Sequence, residues 1–365
     1  LFGILYPNQV LSISFVCPLL LQLVSYFCTE HKWIVQKVVL IGLMFIYFKK
    51  VNLISLLFFN ILRKLYGLIF LFGFIVQNLI NLKLPELTIH YAPRILFVIL
   101  FIVFYIQCLK HFKWKYLLIL FVPLLEIYCD PFFQVYTLNL GQADCSVIVE
   151  PFHKSVVMID CGQNLYRGNV ERIIMPFLEN KNIHTIDTLI LTHDDFDHNG
   201  GYDSLKDKIE IKQVIEDSND KVNVDYPFYL LLSEREAKDT NDSSIISYFT
   251  YDHLTYLFMG DASKQIERQL MSEYDLKADV IKVGHHGSNT SSDSDFLDSL
   301  DCKIALISCG YKNKYGHPSV ETLKTLENLH INTLCTSDCG SIAIYSLHHL
   351  SFLVTNDGMF GIIWT

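Results

Sequence analysis

One short segment near the middle of the chain is dense in side chains that bind metal ions. Two histidines and three aspartates lie between His193 and His198, directly after the apolar run at residues 188–191. Unpaired carboxylates are costly to bury without a cation, and a loop at the end of a strand holds its ligands in place. The segment therefore favours one or two divalent ions over a packed core, and it predicts a metal-dependent hydrolase.

Other candidate ligands follow further apolar runs. Asp160, Asp261 and the pair His285 and His286 each come directly after such a run, and His317 lies in a turn segment. Imidazole and carboxylate ligands together suit Zn²⁺, Mn²⁺ or Fe. Their repeated position after apolar runs predicts that they meet the first segment at one site.

The segments that position these residues alternate between short β-rich runs and helical patterns. Strands are predicted at residues 135–140, 145–149, 156–159, 188–191, 254–259, 280–283 and 304–308. Helices are predicted at residues 168–178, 263–271 and 319–329. This alternation predicts an α/β sandwich with ligands on loops at strand ends. The polar stretch 206–241 receives no firm assignment.

The composition divides the chain into two physical environments. Residues 1–129 hold three acidic and eleven Lys/Arg residues and are otherwise rich in Leu, Ile, Phe and Val. Residues 130–365 hold 35 acidic and 18 Lys/Arg residues, a formal charge of −17, whereas the whole chain carries −9. The first part is typical of a membrane region and the second of a domain that faces water.

Five membrane spans are predicted in the first part, because its apolar runs reach or approach the roughly 17 to 20 residues that a span needs. The runs lie at residues 1–29, 33–48, 65–82, 95–109 and 116–129. Residues 51–62 are too short to span and are expected to be re-entrant or interfacial. The loops richest in Lys/Arg lie near residues 49–64 and 110–115, which predicts a cytoplasmic side for them and an extracytoplasmic side for residues 130–365.

Two further expectations concern the chain's start and its cysteines. The first residue is Leu1 and no cleavable signal pattern is apparent, so the chain is expected to lack an N-terminal portion. Ten cysteines do not make a disulfide framework at this length. Cys335 and Cys339 can pair if the domain is exported, but buried thiols are favoured.

The ordered motifs of the second part resemble a known family. The segment from His193 to His198 resembles the signature loop of the metallo-β-lactamase superfamily, in the variant with Asp195 at the second ligand position. Motifs similar to those of the C-terminal domain of ComEC-type competence proteins occur in order at residues 140–144, 159–162, 193–201, 241–244, 259–261, 282–288 and 315–318. The resemblance covers about residues 134–345, and that family also has a multi-span region upstream.

The resemblance implies an α-helical transmembrane region followed by an αββα sandwich. It implies a membrane protein that admits transforming DNA as a single strand, with a nuclease domain that removes the other strand. The implied partners are DNA, the membrane, a DNA receptor and a cytoplasmic motor. The implied cofactor is one or two divalent ions, Zn²⁺ or Mn²⁺.

The resemblance also implies a role for each candidate site residue. His193 and Asp195 hold one ion, Asp197 and His198 hold the other, Asp261 bridges them, and His317 closes the second site. His285 or His286 is a ligand or a proton donor to the leaving oxygen, so the catalytic residues expected are Asp197, His285 and His286. Ser288 and Asn289 are expected to contact phosphate.

The chain departs from the family pattern at three places. Asn139 stands where the family commonly has Asp, and Ala143 where it commonly has Gly. The usual histidine between the signature loop and the bridging Asp261 has no counterpart, unless His253 serves. A site with a single metal is therefore an alternative to a site with two.

The sequence is compatible with three functions. The first is an exported DNase coupled to a DNA channel. Its weak point is the formal charge of −17, because DNA binding normally needs a basic surface. The second is a membrane-tethered hydrolase of small esters, lactones or phosphoesters on the same scaffold. The third is a non-catalytic DNA-binding transport module.

Overall fold

The computed structural model describes residues 13–28, 31–52, 88–90, 93, 95–163, 168–232 and 240–363. The chain forms two compact units. The first consists of residues 1–129 with Glu179–Asn182, and the second of Asp130–Leu178 with Ile183–Thr365. The predicted span at residues 65–82 lies outside the described residues, as do parts of the segments predicted at 1–29 and 51–62.

The described part of the first unit consists mainly of apolar helices. They are α1 (Ile13–Phe27), α2 (Lys32–Phe48), α3 (Ile95–Lys110) and α4 (Val122–Tyr128), with a 3-10 helix at Trp114–Phe121 and a ribbon of β1 (Lys50–Asn52) and β2 (Thr88–His90). A Cβ on Gly42 of α2 would lie 2.0 Å from the ring of Phe101 on α3, so these helices pack closely there. None of the helices among the described residues combines the length and the apolarity that crossing a membrane requires.

The second unit contains fourteen strands among its described residues. They are β3 (Phe133–Thr137), β4 (Ser146–Val149), β5 (Val156–Ile159), β6 (Thr185–Ile190), β7 (Glu210–Ile215), β8 (Phe228–Leu231), β9 (Ile246–Tyr251), β10 (Leu254–Phe258), β11 (Val280–Lys282), β12 (Ile304–Ile307), β13 (Asn332–Cys335), β14 (Ile342–Leu347), β15 (Leu350–Thr355) and β16 (Phe360–Ile363).

Its helices lie mostly between strands. After a π-helical turn at Val170–Ile174, they are α5 (Met175–Asn180), α6 (Phe196–Asn199), α7 (Tyr202–Lys206), α8 (Lys264–Glu273), α9 (Ser294–Ser299), α10 (Val320–Asn328) and α11 (Thr336–Cys339). Ser263 and Ser319 cap α8 and α10, since their hydroxyls accept a backbone N–H of the first turn.

The strands form two sheets. The larger has the order β16-β15-β14-β3-β4-β5-β6-β7, and the smaller has the order β13-β12-β11-β10-β9-β8. Strands β5 to β7 are parallel, and so are β10 to β13. Because parallel strands end at the same edge of a sheet, the loops after β5 and β6 lie together, and so do those after β10, β11 and β12.

Side-chain alternation divides the core of the second unit into three clusters of buried side chains, one between the sheets and one on the outer side of each sheet. On β3, Val135 joins Phe249 and Tyr256 in a cluster to which both sheets contribute, whereas the next residue, Tyr136, faces the outer side of the larger sheet with Leu178. A third cluster packs α8, α9 and α10 on the outer side of the smaller sheet. The order of elements across the unit is therefore helix, sheet, sheet and helix. It agrees with the α/β sandwich predicted from the alternation and with the αββα order that the resemblance implies.

The seven predicted strands and three predicted helices of this unit are present, with ends shifted by up to three residues. The stretch 206–241 needs correction, because β7 and β8 lie inside it. Strand β7 is at the edge of the larger sheet and carries Glu210 and Lys212. Charged residues are common on edge strands, and here they obscure the apolar alternation.

Replacing Phe249 with Ala is expected to destabilise the second unit by about 3–5 kcal/mol. Its side chain is fully buried and stacks on Phe228 and Tyr256, at ring-centroid distances of 5.0 and 4.8 Å. Urea unfolding measures the loss. Tyr229→Ala, on an exposed tyrosine of β8, is the matched control and should cost less than about 0.5 kcal/mol. Equal losses for both variants would contradict the assigned core.

Candidate metal centre

The predicted site residues converge where strands of both sheets end. Asp160 follows β5, the loop 192–198 follows β6, Asp261 follows β10 and the pair His285 and His286 follows β11. His198, His286, Asp160 and Asp261 are almost completely buried. A buried group of imidazoles and carboxylates therefore forms at the junction of the two sheets.

His198 lies at the centre of this group. Its Nδ1 is 2.8 Å from Oδ2 of Asp160, and its Nε2 is 3.1 Å from Oδ1 of Asp261. Burial alone would lower the pKa of His198, but the carboxylates of Asp261 and Asp160 outweigh burial and raise it well above its usual value. Burial would likewise raise the pKa of Asp261, but His198 and His286 hold it well below its usual value.

Asp160 fixes this arrangement from behind. Besides holding His198, its carboxylate accepts hydrogen bonds from the backbone N–H and the hydroxyl of Thr192, at 2.8 and 3.0 Å. An acceptor on one imidazole nitrogen sets the tautomer and leaves the lone pair of the other nitrogen for a metal. Asp160 is therefore placed to orient His198 rather than to bind the ion itself.

Two other histidines are held in the same way. Nδ1 of His286 lies 3.0 Å from the backbone oxygen of Ser308, and Nδ1 of His193 lies 3.2 Å from the hydroxyl oxygen of Ser244. Nε2 of His286 is 3.3 Å from Oδ2 of Asp197 and 3.8 Å from Oδ2 of Asp261. All three imidazoles thus turn Nε2 toward carboxylate oxygens.

These atoms fit a bound cation. Nε2 of His193, Nε2 of His198 and Oδ1 of Asp261 are buried, and within the described part of the chain none of them makes a hydrogen bond of regular geometry, although the last two atoms lie 3.1 Å apart. The three residues bring ligand atoms within 4.8 Å of one another, and so do Asp197, His198 and His286. Nitrogen and oxygen ligands in this ratio suit Zn²⁺ or Mn²⁺. The two groups share His198, whose free Nε2 can bind only one ion, so a second adjacent ion would be held by the ligands that the groups do not share.

The remaining predicted ligands lie at the rim. Oδ2 of the partly exposed Asp195 is 3.6 Å from Nε2 of His193. Nε2 of His285 is 3.9 Å from Oδ2 of Asp261. The ring centroid of His317 is 5.6 Å from that of His285. Burial lowers the pKa of His317, and the neighbouring imidazoles of His286 and His285 lower it further.

Ser288 and Asn289 occupy the turn after the histidine pair. The hydroxyl oxygen of Ser288 is buried and accepts a hydrogen bond from the Thr290 hydroxyl at 3.0 Å, so it already has a partner within the turn. Asn289 is exposed. Of the two, Asn289 has the more accessible side chain for a phosphate.

His253 is not brought to this centre. It lies in the turn between β9 and β10, where Nδ1 is 3.1 Å from Oδ2 of Asp252 and Nε2 is 3.2 Å from Oγ of Ser351. Strand β10 separates it from Asp261, which follows the other end of that strand. The histidine usual at this place in the superfamily pattern is therefore not supplied by His253.

The cysteine pair considered in the sequence is present as thiols. Cys335 and Cys339 are both buried and free, and the Cys339 thiol donates to the backbone oxygen of Cys335 at 3.1 Å. The structure thus agrees with buried thiols at these two positions.

Sequence reasoning missed a buried ion pair beside the centre. Nζ of Lys282 lies 2.7 Å from Oδ2 of Asp144, and both side chains are buried. Oδ1 of Asp144 is 3.6 Å from Nδ1 of His286. A lysine inside an apolar strand was the available signal, because Lys is almost never fully buried without a partner.

Asp144 also fixes the signature loop through its backbone. Its N–H donates to the backbone oxygen of Asp197 at 2.9 Å, and its own backbone oxygen accepts from the N–H of Gly162 at 2.8 Å. A Cβ at Gly162 would lie 1.8 Å from the backbone oxygen of Asp197. Glycine at this position therefore permits the close approach that places Asp197.

Replacing Lys282 with Met is expected to destabilise the chain by about 3–5 kcal/mol, because Asp144 then remains as an unpaired buried carboxylate. Adding Asp144→Asn to Lys282→Met should recover most of the loss, since no buried charge remains. Thermal unfolding of the metal-free chain at pH 7 measures both effects. The pairing would be contradicted if the double variant lost as much stability as Lys282→Met alone and Asp144→Asn alone lose together.

The same pair predicts a pH dependence. Burial would raise the pKa of Asp144, but Lys282 and then His286 outweigh burial and lower it. A carboxyl whose pKa is lower in the folded state stabilises the fold above about pH 4, and that stability is lost as the pH falls through the folded pKa. Below about pH 4 the wild type should therefore lose more stability than the double variant, which lacks this carboxyl.

Residues 138–245 match the family model of the metallo-β-lactamase superfamily. The chain is similar to ComE operon protein 3 of Bacillus subtilis (strain 168), with 29% identity over 251 residues, covering 57% of this chain and 32% of that protein. It is also similar to Competence protein ComA of Neisseria gonorrhoeae, with 30% identity over 185 residues, covering 46% of this chain and 26% of that protein.

Among solved structures, Zn²⁺-bound PqqB from Methylobacterium extorquens aligns with a TM-score of 0.34 and 9% identity, over 53% of this chain and 85% of that one. The chain spans about a third or less of the length of the two curated relatives. The family match contains the signature loop, Asp144, Asp160 and Ser244. The second unit is therefore an α/β domain whose residues 138–245 are similar to the metallo-β-lactamase superfamily, a fold that implies divalent metal binding.

Proposed function

We propose that this protein acts in DNA uptake during natural transformation, and that residues 130–365 hydrolyse phosphodiester bonds of the strand that is not transported. The observation that carries the hydrolase proposal is the convergence of Nε2 of His193, His198 and His286 on the carboxylates of Asp197 and Asp261. The similarity to competence proteins supports DNA as the substrate.

The site residues form two sets of proposed metal ligands. His193 with Asp195 would hold one divalent ion, Asp197 with His198 a second, and Asp261 lies between the two groups. When bound, the ions activate a water molecule and neutralise phosphate charge. The three histidines are held by Ser244, Asp160 and Ser308, so their rings need little rearrangement on binding.

The proton donor to the leaving oxygen can be chosen from the geometry. Both nitrogens of His286 face protein atoms, Ser308 on one side and Asp197 on the other. His285 is about a quarter exposed, and Thr290 lies 3.1 Å from its Nδ1. We therefore assign the proton transfer to His285, whose Nε2 is at the open side of the centre, and assign His286 to ligand binding.

Turnover by the metal-loaded full chain tests this function. Linear duplex DNA, single strands and a p-nitrophenyl ester serve as substrates, each with Zn²⁺ or Mn²⁺. Asp261→Asn should reduce DNA hydrolysis by about 100-fold or more, because one carboxylate serves both groups of ligands. Asp252→Asn is the matched control, because Asp252 also lies beside histidines but at the other end of β10.

The alternatives give different outcomes in the same assay. Hydrolysis of the ester alone would replace the nuclease with a hydrolase of small esters. DNA binding without turnover of any substrate would indicate a transport module that is not an enzyme. Equal loss in Asp252→Asn and Asp261→Asn would show that the assay reports charge rather than the site.

We further propose that residues 1–129 are embedded in the cell membrane and that residues 130–365 lie outside the cytoplasm. A DNA receptor would act on that outer side, and a motor would act in the cytoplasm. Helix α3 supports membrane contact. Phe97 and Phe101 are buried on one face of it, whereas Ile95, Ile99 and Ile102 are at least half exposed on the other. A helix that is apolar on all sides is typical of a lipid environment.

Protease treatment of intact cells tests this placement. Because the second unit is proposed to face outward, external protease should remove it while a cytoplasmic marker protein remains intact. Lysed cells provide the control for cleavability. Full protection in intact cells, with rapid cleavage after lysis, would place the second unit in the cytoplasm.

A further inference from the structure

A wide cleft opens beside the metal centre. Its volume is about 1330 Å³, and Asp197 forms part of its wall together with residues 139–142 and most of residues 310–315. Sites for small molecules usually occupy about 300–1,000 Å³. The cleft therefore has room for several units of a polymer, and it leads to a residue of the metal centre.

The charge of the cleft is opposite to that of the domain around it. Residues 130–365 carry a formal charge of −17, yet among the described residues the charged ones that line the cleft are Arg172 and Lys314 with Asp197. Asp197 faces His286 in the metal centre. The two cations are thus available to an anion that lies along the wall.

Aromatic side chains lie next to these cations. Tyr311, Tyr315 and Phe196 line the cleft and are 72%, 58% and 47% exposed. Nζ of Lys314 lies 4.8 Å from the ring centroid of Tyr315. Exposed rings alternating with cations match the chemistry of a single nucleic-acid strand, whose bases stack on rings and whose phosphates bind ammonium or guanidinium groups.

The loop that carries the two tyrosines is preformed. The side-chain oxygen of Asn313 accepts the backbone N–H groups of Tyr315 and His317, at 3.1 and 3.0 Å. Its amide nitrogen donates to the backbone oxygen of Gly310 at 2.9 Å, and Gln142 accepts the N–H of Gly310 at 3.2 Å. Little entropy remains to be lost when a ligand binds such a loop.

We propose that this cleft binds one single strand of nucleic acid, with bases stacked on Tyr311 and Tyr315 and phosphates contacted by Lys314 and Arg172. A strand in this position presents a phosphodiester to Asp197. The inference deepens the proposed nuclease function and rests on it for the identity of the substrate. It also assigns the substrate contacts mainly to the loop 310–315 rather than to Ser288 and Asn289.

Fluorescence anisotropy tests the tyrosines. The full chain without added metal, which would leave the strand uncut, is titrated into a labelled oligothymidylate of about a dozen nucleotides. Replacing both Tyr311 and Tyr315 with Ala should weaken binding by about tenfold or more, whereas replacing both with Phe should preserve it, since a ring remains. Tyr229→Ala, an exposed tyrosine on β8, is the control and should leave binding unchanged.

Salt dependence tests the cations. Lys314→Gln should reduce the slope of log K against log salt by about 0.7, the value of one phosphate contact to a single strand. Lys324→Gln, an exposed lysine on α10, removes the same charge elsewhere and should leave the slope unchanged. Equal slopes for wild type and Lys314→Gln would remove Lys314 from the strand path.

The outcomes separate this inference from the proposed function. If DNA is cleaved but the double Ala variant binds and cleaves like the wild type, the cleft assignment is wrong and the nuclease stands. If the tyrosines govern strand binding but metal-loaded chain cleaves neither DNA nor bis(p-nitrophenyl) phosphate, the cleft stands and the nuclease is wrong. Loss of binding in both the Ala and the Phe variants would indicate that the hydroxyls, not stacked rings, make the contact.

Discussion

Asp261 and His198 face each other at 3.1 Å in a place that solvent hardly reaches, and Asp160 holds the other side of the same imidazole at 2.8 Å. A buried imidazole between two carboxylates is stable only when a proton or a cation supplies positive charge. The raised pKa of His198 and the lowered pKa of Asp261 have this same electrostatic cause. The strand ends and the loops around them are arranged so that a divalent ion can supply the positive charge.

Apart from Asp160, the groups that support the centre add no net charge to it. Lys282 neutralises Asp144, whose backbone N–H binds the backbone oxygen of Asp197. Ser308 holds His286 through a backbone oxygen and Ser244 holds His193 through a hydroxyl, both of which are neutral. The negative charge that remains at the centre lies on Asp160, behind His198, and on Asp197 and Asp261, which face the ligand nitrogens.

The sequence predicted the parts of this arrangement that are local. His193 and His198 lie five positions apart in one loop, and Asp261 directly follows an apolar run, so spacing alone identified them. The Asp144–Lys282 pair joins residues 138 positions apart, and only the meeting of the two sheets reveals it. Strand β14 is similar, because it pairs with β3 across some 200 residues of chain. Local patterns contain no information on such pairings.

The acidic balance of the second unit argues less strongly against a nucleic-acid substrate once charges are placed in space. At physiological ionic strength the screening length is about 8 Å, so exposed carboxylates beyond that distance act weakly on a strand in the cleft. The nearest fixed charges then matter most, and in the cleft these include Arg172 and Lys314. An acidic surface elsewhere would disfavour binding outside the cleft. The charge distribution can thus restrict a strand to the one path that leads to Asp197.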